Sequence, residues 1–243
     1  MPAKNFELRS FADTDELAAR VAGLWLDEIE SANGAGKTYC VALSGGRIAQ
    51  KFFATTVEQV KRRAVSFERV HFFWADERCV PPTDPESNFK LASELLFAPL
   101  KIPANQIHRI RGEEPPEAAG KTAGEEIARF VSLNSDNQPI LDLIFLGMGE
   151  DGHVASLFPG ENEAAISAPA IYRAIRKSPK PPPDRITLGY AAIATARQVW
   201  VLVSGAGKAA ALRDSLRPEG RTPLARILLI RSQTKIFSDI RLD

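Results

Sequence analysis

Thr38-Tyr39-Cys40-Val41-Ala42-Leu43, followed directly by Ser44-Gly45-Gly46, decides the fold class. Six consecutive apolar or β-prone residues make a strand without a polar face, and such a strand belongs in a buried parallel sheet. Ahead of it, beyond the breaker Asn33-Gly34-Ala35-Gly36, residues 13–32 read as an amphipathic helix. Asp13 and Glu16 have capping-box spacing, and Leu17, Val21, Leu24 and Trp25 fall on one face. Behind Gly46 a second helical pattern runs through Phe52, Phe53, Val57 and Val60.

The strand-turn-helix unit recurs along the chain. Val70-His71-Phe72-Phe73-Trp74-Ala75 ends in the charged triplet Asp76-Glu77-Arg78, and residues 140–146 end in Gly147-Met148-Gly149-Glu150-Asp151-Gly152-His153. Gln198-Val199-Trp200-Val201-Leu202-Val203 ends in Ser204-Gly205-Ala206-Gly207-Lys208, and Ile227-Leu228-Leu229-Ile230 reads as a fifth strand. Helices are expected at residues 88–97 and 116–131. Alternating strands and helices imply an α/β fold with an open, mostly parallel sheet and helices on both faces. Residues 171–175 and 185–188 read as short strands of a small antiparallel add-on. Between them residues 177–183, with Pro179 and Pro181-Pro182-Pro183, read as a stiff extended connector. There is no repeat of fixed period, so one domain over residues 1–243 is expected.

Composition narrows the function. The 31 Lys+Arg and 30 Asp+Glu leave a net charge of +1, without the basic excess that drives nucleic-acid or membrane-surface binding. Two cysteines, Cys40 and Cys79, make neither a disulfide scaffold nor a four-cysteine zinc site, and reduced thiols in a cytoplasm are the expectation. Met1-Pro2-Ala3-Lys4-Asn5 opens no leader pattern, and no apolar run approaches the roughly 20 residues that span a bilayer. The three histidines, His71, His108 and His153, are too scattered for a helical metal pair, so no metal is expected.

Parallel α/β sheets bind ligands beyond the carboxyl ends of their strands, where every unusual cluster of this sequence lies. Ser44-Gly45-Gly46 can cradle an anion at a helix start, although a plain tight turn would read the same. It matches neither a dinucleotide nor a Walker sequence, so no nucleotide cofactor is indicated. Lys208 follows a second glycine-rich turn, and Arg185 follows the proline run; either is a candidate anion ligand or a solvated charge. His153, two residues after Asp151 and near an expected helix start, is a candidate general base oriented by that carboxylate. His71 and His108 lie in or beside strand patterns with no polar constellation and read as structural. Arg78 in the Asp76-Glu77-Arg78 triplet suits an oxyanion or phosphate, or a surface ion pair with Glu77.

Leu-Ser-Gly-Gly at 43–46, Trp-Ala-Asp-Glu-Arg at 74–78, Ser87-Asn88 and the stretch 147–160 together resemble the glucosamine-6-phosphate isomerase/6-phosphogluconolactonase family. Ala155-Ser156-Leu157-Phe158-Pro159 after the histidine is similar to the lactonase branch. The resemblance implies a Rossmann-like fold and metal-free hydrolysis of a small phosphorylated sugar lactone, 6-phosphoglucono-1,5-lactone, in the oxidative pentose phosphate pathway. It further implies His153 as base with Asp151 behind it and Arg78 at the reacting end. Ser44, Gly45, Gly46, Asp76, Arg185 and Lys208 would bind substrate. The chain departs from the pattern at Arg47-Ile48-Ala49, where a small polar residue, Thr and Pro are usual, and at Gly189; Arg47 is the expected substitute donor. Competing readings are an amino-sugar-phosphate deaminase using Asp76 as base, and a catalytically silent sugar-phosphate binder. A monomer or small homo-oligomer is expected.

Overall fold

The computed structural model describes residues 5–242, so Met1–Lys4 of the N-terminal reading lie outside the described residues. Among the described residues nine strands follow in chain order: β1 Phe6–Ser10, β2 Tyr39–Leu43, β3 Val70–Trp74, β4 Asp76–Arg78, β5 Leu143–Gly147, β6 Tyr172–Ile175, β7 Arg185–Leu188, β8 Gln198–Val203 and β9 Thr234–Ser238. Six form one sheet in the order β1-β9-β8-β5-β2-β3, and every pairing in it is parallel. The other three form a small antiparallel sheet, β4-β7-β6. All five residues of β2 are buried; because alternate side chains point to opposite faces, this strand is covered on both.

Helix α1, Thr14–Gly34, begins where the sequence says it should. The Asp13 carboxylate accepts the N–H groups of Asp15 and Glu16, and Glu16 reaches back to the N–H of Ala12. Its buried face sends Trp25 into an aromatic cluster with Phe52 of α2 (Arg47–Arg63) and Phe145 of β5, at ring-centroid distances of 5.4 and 5.3 Å. Trp25 is fully buried, and truncating it to alanine would cost roughly 3–5 kcal/mol.

Two readings of the sequence change. Ile227–Ile230 is not a strand but the end of the helix Pro223–Ile230. Thr222 caps that helix by accepting the N–H of Ala225, and Pro223 sits at a first-turn position where its missing N–H costs nothing. The apolar run fits a helix with one dry side, since Ile227 and Leu228 are buried while Leu229 and Ile230 are exposed. The final strand is instead β9, and β1 pairs beside it at the sheet edge. The charged triplet at 76–78 is not a loop: as β4 it pairs residue by residue with β7, Asp76 opposite Thr187 and Arg78 opposite Arg185. Ala75 joins the two sheets, its N–H going to Leu43 O and its carbonyl to the N–H of Leu188. The small sheet thereby stands against the carboxyl end of the large one.

Candidate active site

Four chain segments converge at that end. After β2, Ser44 Oγ donates to Phe145 O at 2.8 Å, tying the turn to the neighbouring strand. Gly45 faces the Asn88 side chain so closely that a Cβ there would overlap Asn88 Oδ1. Gly46, at φ 97°, turns the chain into α2, and no side chain caps the helix start. The first N–H groups of α2 therefore meet the cleft beside Arg47.

Asp76 on β4 is buried, with Oδ2 accepting from Ser156 Oγ at 2.6 Å and Oδ1 from Asn88 Nδ2 at 3.4 Å. Glu77 points the other way and is not a surface partner of Arg78. Its carboxylate accepts the N–H groups of Arg78, Asn88 and Phe89, each at 2.8 Å, and the Ser87 hydroxyl at 3.1 Å. That hub locks β4 to the short helix α3, Asn88–Ala92. Burial pushes the Glu77 carboxyl up to about 7, against the pull of the three N–H donors. Arg78 Nη1 donates to Glu86 O, while its buried Nε has no partner among the described residues.

After β5 the glycine-rich loop folds as linked turns and the next helix begins only at Glu163, so His153 does not sit at a helix start. Gly149 N–H donates to His153 O and Gly152 N–H to Gly149 O, curling the loop around the imidazole. Gly149 is required here because a Cβ would overlap the His153 ring. His153 Nδ1 lies 2.5 Å from Asp151 Oδ1, an arrangement that keeps the proton on Nδ1 and the lone pair on Nε2. Burial holds the His153 imidazolium below its usual range, only partly offset by Asp151. Asp151 is itself held below the ordinary carboxylate range; burial acts upward, and the His153 hydrogen bond and charge outweigh it.

After β8, Asp239 gathers the turn: Oδ2 accepts from Thr14 Oγ1 and Ser204 Oγ, and Oδ1 from Gly205 N–H. Lys208 follows, its ammonium disfavoured by burial and then by Arg47. Arg185 on β7 is buried and largely occupied. Its Nε and Nη2 donate to the carbonyls of Pro182, Pro181 and Lys180, and Nη1 lies 3.4 Å from Ser156 Oγ. Of five guanidinium N–H groups, one is left for the cleft. The proline segment these bonds hold is a folded-back loop rather than an extended connector, closed by Ser178 N–H on Pro183 O.

Ser44, Gly45, Gly46, Arg47, Asp76, Arg78, His153, Arg185 and Lys208 thus line one cleft, with Asp151 behind the imidazole. Asn88 lines it too, and Ser156 and Glu77 brace it; the Ser87-Asn88 pair and Ser156 lay in quoted motifs, but nothing in the sequence marked them as ligands of Asp76 or Glu77. Outside the cleft, burial pushes the thiols of Cys40 and Cys79 up to about 12 and about 11, so neither is a thiolate at neutral pH. His71 and His108 do have a polar constellation: His71 Nδ1 meets His108 Nε2, and His108 Nδ1 meets Glu126.

The family model for glucosamine-6-phosphate isomerases/6-phosphogluconolactonase matches residues 12–236. The chain belongs to this family. It is 35% identical to the 6-phosphogluconolactonase of Mycobacterium tuberculosis over 210 residues, 85% of this chain and 84% of that one. With the 6-phosphogluconolactonase of Haemophilus influenzae it shares 37% identity over 174 residues, 72% of each chain. Its fold superposes on the 6-phosphogluconolactonase from Trypanosoma brucei with a TM-score of 0.86 at 25% identity, covering 97% of both chains. The Rossmann-like α/β architecture is common to these relatives and this chain.

Proposed function

We propose that the chain hydrolyses 6-phospho-D-glucono-1,5-lactone to 6-phospho-D-gluconate without metal or nucleotide. The observation that carries this reading is the Asp151–His153 pair, whose Nε2 faces a cleft bordered by Arg47, Arg78 and Lys208. Nε2 takes a proton from water as the oxygen attacks C1, and the charge developing on the carbonyl oxygen is met by Arg78. Collapse breaks the bond between C1 and the ring oxygen, which leaves with the proton held by His153. The phosphate is held at the other end by the N–H groups at the start of α2, Arg47, Lys208 and the last N–H of Arg185. Anchoring a remote dianion positions the ring ester over the base. Ser44 and Gly45 shape the floor, and Asp76 accepts a sugar hydroxyl.

The deaminase reading would use Asp76 as its base, with Ser156 and Asn88 holding its two oxygens in place, and the assay below separates the two reactions. The proposed setting is a cytoplasm, with one domain over residues 1–243 acting as a monomer or small homo-oligomer on a free small molecule. The test is lactone opening by purified protein, measured against the spontaneous rate and beside ammonia release from glucosamine 6-phosphate. Rapid opening with no ammonia is expected. Ammonia release, or binding of 6-phosphogluconate with no acceleration, would replace this reading with one of its competitors.

A further inference from the structure

The loop before Arg185 has no part in the chemistry above, yet it is built against the cleft. Ser178 Oγ donates to Lys180 O at 2.6 Å, and Arg185 Nη2 donates to Pro181 O at 2.8 Å and to Lys180 O at 3.3 Å. Proline at 179, 181, 182 and 183 lowers the freedom the loop would otherwise lose on ordering. The backbone of Lys180 is thus fixed to a side chain that lines the cleft. Lys180 is half-buried as a residue, and its charge acts on those of Asp151, His153 and Lys208, which arrive on two other loops. Among the described residues no carboxylate lies within salt-bridge reach of Lys180. Lys208 feels Arg47 as well as Lys180, and Arg47 and Lys208 line the same cleft as Arg185, whose guanidinium holds the Lys180 carbonyl. Like charges held together raise one another's energy until an anion joins them.

We propose that Lys180 is a further anion-binding residue of this cleft, presented by a loop that Arg185 pins, and that it takes the phosphate of the sugar phosphate. This rests on the sugar-phosphate reading of the site, and the test is a binding measurement that needs no turnover. The full chain, Lys180→Met and Lys180→Arg are titrated calorimetrically with 6-phosphogluconate and with gluconate. Lys180→Met should weaken 6-phosphogluconate roughly tenfold, as expected for loss of one charge-assisted contact. Lys180→Arg should stay within about twofold of the unsubstituted chain, and gluconate should bind all three alike. Equal affinity of Lys180→Met and the unsubstituted chain for 6-phosphogluconate would overturn the proposal. So would an equal loss in Lys180→Arg, which would assign the effect to loop shape, or no binding to the unsubstituted chain. Failure of the lactonase reading alone looks different: phosphate-dependent binding would persist while lactone opening stayed at the spontaneous rate.

Discussion

Two histidine–carboxylate pairs stand among the described residues, and only one of them is placed to act as a base. His153 Nδ1 lies 2.5 Å from Asp151, and His108 Nδ1 lies 2.9 Å from Glu126. Burial lowers the imidazolium of both below the usual range. The difference lies at the other nitrogen. His108 Nε2 is taken by His71, and its ring packs against Phe73 and Phe130 at 4.6 and 4.0 Å. His153 Nε2 has no hydrogen-bond partner among the described residues and faces a cleft edged with cations. Cavity size would have pointed the wrong way, since the space beside His108 is ≈ 420 Å³ and the His153 cleft ≈ 110 Å³. A carboxylate orients an imidazole in either place; a free lone pair beside complementary charge makes it useful.

The largest contrast is expected from removing each ring. His153→Ala should lower kcat/KM for the lactone on the order of 10²–10⁴-fold, the usual worth of a positioned general base. His108→Ala should leave kcat/KM within about threefold while lowering the melting temperature, because it removes a ring from an aromatic cluster. Comparable activity losses in the two variants would erase the distinction. Asp151→Asn comes next: it keeps the shape but spoils the preference for a proton on Nδ1, and about 10²-fold in kcat with little change in KM is expected from steady-state kinetics.

Smaller effects appear in stability against pH, with opposite signs. The His71 and His108 imidazoliums are both held below their ordinary value, by burial first. The unfolded chain therefore binds protons more readily, and the contribution of this pair is present above about pH 6.5 and lost as pH falls. The gap in urea midpoint between the unsubstituted chain and His71→Phe should narrow from pH 7.5 to 5.5. Glu77 runs the other way: its folded value of about 7 exceeds the ordinary 4.5. Its protonated form is favoured by folding, so that contribution is complete below about pH 4.5 and gone above about 7. Glu77→Gln should flatten the pH dependence of the urea midpoint across that window.

The central strands could be read from the sequence because a strand covered on both faces is a continuous apolar run, as β2, β5 and β8 are. β1, β4 and β9 could not. β1 alternates apolar and polar residues, and β9 is short and carries Lys235, whose ammonium lies 5.2 Å from the Trp200 ring and hides its charge on an aromatic face. β4 is three charged residues, whose pairing with β7 is a long-range fact that local pattern does not carry. Ile227–Ile230 misleads because four apolar residues, two of them β-branched, also suit a helix with one dry side, and the true signal was the Thr222-Pro223 start. At the site, His153, Asp151 and the glycine turns stood out as local clusters. The Glu77 hub, the Ser156 contact to Asp76 and the occupancy of Arg185 did not, since each joins segments far apart in the chain.

The most direct test of His153 as the base is the pH profile of kcat/KM for 6-phosphoglucono-1,5-lactone, with the spontaneous rate subtracted. A base that must be neutral, and whose imidazolium is held below its ordinary value near 6.5, gives a rate level at neutral pH that falls on the acid side of 6.5. The residual activity of His153→Ala should lack that acid limb. A profile flat from pH 5 to 8 in the unsubstituted chain, or the same limb persisting in His153→Ala, would contradict it.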